Sequence, residues 1–123
     1  MEVLKLMIQK DITIKNANVL MLGITFKENC PDIRNTKAID VYSALKSFNM
    51  NVNVYDPWAS NEEVKLYYDI NMIPEISSKY DAIVHVVAHQ EFLEINLNEF
   101  KKEKAIIYDV KGTLNHKLID KRL

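Results

Sequence analysis

Lys27, Asp32 and Arg34 lie close together in the stretch Gly23-Ile24-Thr25-Phe26-Lys27-Glu28-Asn29-Cys30-Pro31-Asp32-Ile33-Arg34-Asn35-Thr36-Lys37. An ammonium such as that of Lys27 acts as a point charge on a phosphate or a developing oxyanion, whereas the guanidinium of Arg34 is a planar fork suited to a pyrophosphate or carboxylate. Asp32 can orient either of them. A helix predicted to start just after Asn35 or Thr36 would bring its free N–H groups to the same edge, and the combination suits a phosphorylated or otherwise anionic ligand. A solvated loop of mixed charge has the same composition, and spacing alone does not separate the two.

The remaining candidates are few. Asp56, in Val54-Tyr55-Asp56-Pro57-Trp58, stands where a dinucleotide-binding fold holds a ribose, but it also reads as a turn aspartate with Pro57 fixing the backbone. Trp58 beside it is either packing or a lid. His85 sits inside the apolar run Ala82–Val87 and reads as a hydrogen-bonded core histidine; His89 opens the following loop and reads as a solvent-facing or helix-capping residue. With His116 these are the only histidines, and their spacing does not converge on a metal. The single cysteine, Cys30, excludes an intramolecular disulfide and has no neighbouring base to make it a nucleophile. The pair Tyr67-Tyr68 reads as one ring in and one out.

These residues belong to a chain of 123 residues, enough for one domain. With 48% hydrophobic and 27% charged residues and a formal net charge of −1, it has no basic footprint for nucleic acid or an anionic membrane. Its two glycines, Gly23 and Gly112, exclude a self-contained dinucleotide loop, which needs several within about six positions. The apolar run Val19–Phe26 is far shorter than the roughly 20 residues that span a bilayer, and Met1–Lys10 carries Glu2, Lys5 and Lys10 where a secretory signal is uninterrupted. A cytoplasmic location is the default expectation.

The elements that must position the candidates alternate. Val19–Leu22, Val52–Tyr55, Ala82–Val87 and Ala105–Tyr108 are continuous apolar runs of the kind buried on both faces of a parallel sheet. Between the first two, Ala38, Ile39, Tyr42, Leu45 and Phe48 share one helical face. A second helix is predicted after Ser60, where Ser60-Asn61-Glu62-Glu63 has capping-box spacing. Asn71–Ile73 reads as a short strand or a loop, and His89–Phe92 and Leu97–Lys101 as short helical pieces. Val3, Leu4, Met7 and Ile8 form a helical face too short to stand alone. The expected fold is a Rossmann-like, doubly wound α/β domain with a mainly parallel sheet of four to six strands and helices on both faces. Ligands of such folds bind beyond the carboxyl ends of the strands, which here lead into Gly23, Asp56, Ala88 and Asp109.

At the first of these ends, Leu22-Gly23-Ile24-Thr25-Phe26-Lys27 with Asp32 and Arg34 resembles the Gly-x-x-Phe-Lys…Asp-x-Arg signature opening the C-terminal domain of the UDP-glucose/GDP-mannose dehydrogenase family. Val54–Trp58, Ala88-His89-Gln90-Glu91-Phe92 and Tyr108-Asp109-Val110-Lys111-Gly112 are similar to family segments in the same order, so the resemblance covers roughly Lys15 to Leu118. The wording around Phe26–Asn35 is most similar to the branch that oxidises UDP-N-acetylhexosamines for bacterial surface polysaccharides. The resemblance implies an NAD-dependent oxidation of a sugar C6 alcohol to a carboxylate. The site would lie in a cleft between this domain, residues 15–123, and an N-terminal Rossmann domain that holds most of the NAD and the catalytic cysteine. Residues 1–14 then look like the tail of the inter-domain, dimerising helix and a linker, and a homodimer is a possibility. It further implies that Phe26 and Lys27 meet the UDP-sugar, that Arg34 reaches NAD from across the cleft, and that Lys111 stands where many relatives place a substrate-contacting arginine. This chain alone is expected to be inactive, and Cys30 does not match the nucleophile. Two other readings remain: a flavodoxin-like receiver with Asp56 as phosphoacceptor and Lys111 as its sensor, though without the acidic pair that would hold Mg²⁺ after the first strand, or a degenerate interaction domain.

Overall fold

The computed structural model describes residues 2–111, Leu114 and residues 119–122. Gly112 and His116 lie outside the described residues. Five parallel strands form one sheet: β1 (Asn18–Leu22), β2 (Asn51–Tyr55), β3 (Tyr80–His85), β4 (Lys101–Asp109) and β5 (Lys121–Arg122), in the order β2-β1-β3-β4-β5. That is a doubly wound order, with the chain leaving β1 and β3 in opposite directions across the sheet.

The apolar runs explain the layering. Val19 and Met21 of β1, Ala82 and Val84 of β3, and Ile106 and Tyr108 of β4 enter one core, while Leu20, Leu22, Ile83 and Ile107 enter the other. Neighbouring strands are in register, Met21 opposite Val84 and Val84 opposite Tyr108, so each face is a continuous apolar surface. The first face is covered by α1 (Glu2–Gln9), α2 (Ala38–Ser47) and Val64 of α3 (Asn61–Tyr68). The second is closed by two 3₁₀ turns, Gln90–Glu94 and Leu97–Phe100, through the buried Phe92 and Leu97. The eight-residue α1 holds its shape by docking, with Val3 and Met7 buried and Ile8 left exposed.

Local chemistry sets the boundaries. Ser60 caps α3, its Oγ accepting from Glu63 N–H at 3.3 Å, and Asp69 ends that helix in the left-handed region with φ 56°. Thr36 serves α2: its Oγ1 accepts from Ala38 N–H at 3.1 Å while donating to Thr25 O at 3.1 Å. β3 stops at His85, two residues before the apolar run ends, because the N–H groups of Val86 and Val87 both turn to Leu22 O, at 2.9 and 3.2 Å. Asn71–Ile73 is a loop, tied to β2 by Ile73 N–H on Val54 O. The two-residue β5 has no periodic signature in the sequence; Asp120 sets it beside β4, its N–H donating to Ile107 O and its Oδ2 accepting from Ile107 N–H.

Candidate functional site

The topology reverses between β1 and β3, and the crevice at their carboxyl ends is where doubly wound folds bind ligands. Gly23 opens it. Its φ of +101° is a conformation that glycine tolerates and side chains rarely adopt, and Val87 of the neighbouring loop packs directly against its Cα.

Beyond Gly23 lies a cleft of about 180 Å³ whose lining includes Phe26, Lys37, Val41, Val86, Val110 and Lys111. Two of the residues singled out in the sequence, Phe26 and Lys111, therefore meet across the ends of β1 and β4. Phe26 is 54% exposed, a large apolar ring held at the surface where it can stack on a planar group. Lys37 was not singled out in the sequence; its place at the start of α2 puts a second ammonium in the same wall. Lys27 is exposed one residue from Phe26 and outside the lining of this cleft. None of the Lys27, Lys37 and Lys111 ammonium groups is paired with an acid among the described residues.

Arg34 faces elsewhere. It lines a second cleft, about 510 Å³, with Pro31, Asp32, Glu63, Leu66 and Tyr67. Its Nε and Nη2 donate to Asp32 Oδ1 and Oδ2 at 3.1 and 3.3 Å, so the acid does orient this cation and not Lys27. The hydrogen bond from Arg34 holds the Asp32 carboxyl below its ordinary range, and Asp32 in turn raises the guanidinium. A third depression, about 410 Å³ and lined by Asp11, Lys15, Asp81 and Lys102 among others, lies at the opposite, amino-terminal ends of the strands.

The loop carrying Phe26 and Lys27 is anchored by a buried network. Asp56 Oδ2 accepts from Ile24 N–H at 2.7 Å, Thr25 N–H at 3.2 Å and His89 Nε2 at 3.0 Å. Its Oδ1 accepts from Trp58 N–H at 2.8 Å and Ala59 N–H at 3.2 Å. Burial alone would raise this carboxyl, but the hydrogen bonds from His89 and the backbone outweigh it and leave it below its ordinary value. Asp56 is thus the turn aspartate of the second strand and more, since it also ties down the loop after the first. A phosphoacceptor needs an accessible carboxylate oxygen. Here both oxygens are engaged and the residue is buried, so the receiver reading has no support in the geometry.

His89 corrects the sequence expectation: it is neither solvent-facing nor capping through its side chain, but fully buried. No local pattern marks it, because Asp56 and His89 meet only once β2 and β3 lie on either side of β1. Trp58 is packing, stacked on His89 with centroids 6.0 Å apart and its Nε1 donating to Glu91 Oε1 at 2.9 Å. His85 is the core histidine expected, its Nδ1 2.8 Å from Asp109 Oδ1. Burial lowers its pKa, with Asp109 partly offsetting the shift, so the ring is neutral and Nδ1 donates. Tyr67 is exposed and Tyr68 is half-buried with its hydroxyl donating to Ile33 O. Among the described residues no group of three acidic, cysteine or histidine side chains could hold a metal, and no helix is long and apolar enough to cross a membrane.

A family model described as the UDP binding domain of the UDP-glucose/GDP-mannose dehydrogenase family matches residues 20–116. The chain belongs to this family. It is 44% identical over 99% of its length to UDP-N-acetyl-D-glucosamine 6-dehydrogenase of Salmonella typhi, of which the match covers 30%, and 36% identical over 92% to Protein CapL of Staphylococcus aureus, of which it covers 27%. The chain therefore spans less than a third of these relatives. In fold it superposes on an NDP-N-acetyl-D-galactosaminuronic acid dehydrogenase from Methanosarcina mazei with a TM-score of 0.80 at 20% identity, over 94% of this chain and 25% of that one. The family's UDP-binding domain is thus present here as the doubly wound sheet described above.

The described residues do not fit a complete dinucleotide site. The amides just after β1, which a glycine-rich loop would offer to a pyrophosphate, are those of Ile24 and Thr25, and both are already bonded to Asp56.

Proposed function

We propose that this chain is the substrate-binding part of an NAD-dependent UDP-sugar 6-dehydrogenase, which oxidises the C6 alcohol of a UDP-N-acetylhexosamine or UDP-glucose to a carboxylate for surface polysaccharide synthesis. The observation that carries this reading is the cleft at the β1/β3 switch point, where Phe26 stands exposed and Lys37 and Lys111 have no acidic partner among the described residues. A UDP-sugar presents a planar base, two phosphates and a polar ring. Phe26 supplies a face for a flat group, and Lys27, Lys37 and Lys111 supply point charges for the phosphates. At a position where the family resemblance implies an arginine, Lys111 keeps the charge but not the bidentate fork.

Arg34 has a different role in this scheme. It projects from the same loop into a separate cleft, so it meets a different ligand, and its oriented guanidinium suits the pyrophosphate of NAD held mainly by an N-terminal Rossmann domain. That domain would supply the glycine-rich loop and the nucleophilic cysteine, and this chain alone binds without turnover. Residues 1–14 serve as the end of the helix and linker joining the two domains, and a homodimer formed through that helix accounts for the exposed Ile8. A cytoplasmic location is part of the same reading.

The test is a titration of the ¹⁵N-labelled 123-residue chain with UDP and UDP-N-acetylglucosamine, with inorganic phosphate as the control. Shifts of the Phe26, Lys27, Lys37 and Lys111 amides with a nucleotide, at weak affinity, are expected. No response to either nucleotide at millimolar concentration would overturn the reading.

A further inference from the structure

The mechanical support of the ligand-facing turn lies in the loop after β3. Asn29, at φ 53°, is gripped twice by that loop: its N–H donates to His89 Nδ1 at 2.8 Å, and its Oδ1 accepts from Gln90 N–H at 3.0 Å. At the other end of the turn, Thr25 Oγ1 lies 3.1 Å from His89 Nε2 and donates to Lys27 O at 3.0 Å. His89 therefore contacts both ends of the segment 25–29 that presents Phe26 and Lys27. A backbone N–H can only donate, so Nδ1 must be an acceptor and carries no proton. The remaining ring proton is then on Nε2, where it points between the Asp56 carboxylate and the Thr25 hydroxyl. Phe92 and Trp58 pack against the ring at centroid distances of 5.4 and 6.0 Å and leave it one orientation.

We propose that His89 is a positioning residue for the UDP-sugar site: as the neutral Nε2–H tautomer, backed by Asp56, it fixes the turn 25–29 and thereby the placement of Phe26 and Lys27. This rests on the functional reading above for the ligand, but not for the mechanics of the turn. An alternative proton position would break it, because a proton on Nδ1 confronts the Asn29 N–H, a donor against a donor.

Two conservative substitutions divide the ring's two jobs. In His89→Asn the side-chain oxygen can take the place of Nδ1 and accept from Asn29, while contact with Asp56 is lost. In His89→Gln the side-chain amide nitrogen can reach Asp56 and Thr25, while Asn29 loses its acceptor. The experiment uses the 123-residue chain and three readouts: imidazole ¹⁵N shifts of His89, amide exchange of residues 24–29 against β1 and β3, and affinity for UDP. The expected result is an unprotonated Nδ1 and protonated Nε2 in the wild type. His89→Gln should speed exchange at Asn29 selectively, His89→Asn should keep it slow while loosening Thr25, and both should weaken UDP by about tenfold. Strand amides should keep their protection, and His89→Ala, which removes both contacts, should lose the turn as a whole. The proposal is overturned by a protonated Nδ1, by turn amides that exchange as in the wild type in both variants, or by UDP affinity that is unchanged although the turn has loosened. If the wild type does not bind UDP at all, the ligand assignment fails, and the tautomer and exchange results alone decide whether His89 sets the turn.

Discussion

A Cβ placed on Gly23 would lie 2.5 Å from Val87 Cβ and 2.9 Å from Val87 N, so the loops after β1 and β3 touch at a spot where the chain has no side chain. Gly23→Ala must both adopt φ near +101° and push Val87 away. The strained backbone alone costs about 1–3 kcal/mol, and the clash adds to it. Urea unfolding should show a loss of about 3 kcal/mol or more. Because Val87 Cβ and backbone nitrogen are themselves in the way, adding Val87→Ala should not restore stability. Rescue by that second change would mean that only the Val87 Cγ2 atom opposes the substitution.

The sequence shows this contact only in part. Gly23 after an apolar strand marks a turn, and the four long strands, α2, α3 and the Ser60 cap are all visible because hydrophobic period and capping are local signals. What is hidden depends on strand order. Val86 and Val87 continue the apolar run of β3, yet they leave the strand to follow Leu22, a residue distant in sequence. Asp56 and His89 are each ordinary in their own segments and become a pair only when β2 and β3 flank β1. Phe26 and Lys111 were legible through family resemblance, and the sheet brings them to one cleft; Lys37 had no motif to mark it.

Arg34 and Asp32 are exposed partners on one loop, and exposed ion pairs contribute little to folding. Replacing Arg34 by Ala should therefore leave the unfolding midpoint of the chain where it is. In a two-domain enzyme containing this chain, the same change should raise KM for the dinucleotide with a smaller effect on KM for the UDP-sugar, and Arg34→Lys should not restore it because the fork is lost. An equal rise in both KM values would count against separate roles for the two clefts.

Phe26→Ala is the complementary case. The ring is half exposed, so its removal should cost less than about 1 kcal/mol of stability. Loss of a stacking face should nonetheless weaken UDP by about tenfold. Isothermal titration of the two proteins with UDP, alongside thermal melts, separates the effects. An affinity equal to wild type would remove Phe26 from the site.

Asp56→Asn tests the aspartate as structure against the aspartate as phosphoacceptor. The carboxylate accepts from five donors on two oxygens, but the amide has one accepting oxygen and an NH2 that only donates, so at least one of Ile24, Trp58 and His89 loses its partner in a buried setting. A stability loss of about 2 kcal/mol or more is expected in urea titrations. Incubation of the wild type with a small phosphodonor and Mg²⁺ should leave the protein unlabelled by intact mass; a phosphoryl adduct absent from the variant would restore the receiver reading.

The His85–Asp109 pair predicts how stability changes with pH. Burial lowers the pKa of His85 from the 6.5 of a solvated imidazole, so below that pH the unfolded chain takes up a proton that the folded chain refuses. Stability is thus fully present above pH 6.5 and falls as the pH drops from there toward the depressed value, with a limiting slope of about 1.4 kcal/mol per pH unit for one proton. Asp56, also depressed, acts in the same direction but only below its unfolded value of 3.8, outside this window. His85→Asn places a side-chain amide where Nδ1 stands, so it can still donate to Asp109 yet does not titrate. Urea unfolding at pH 7.5, 6.5 and 5.5 should show a steeper decline in the wild type than in His85→Asn, whatever the variant's absolute stability. Parallel declines would place the proton uptake on another group and leave His85 charged or accessible in the fold.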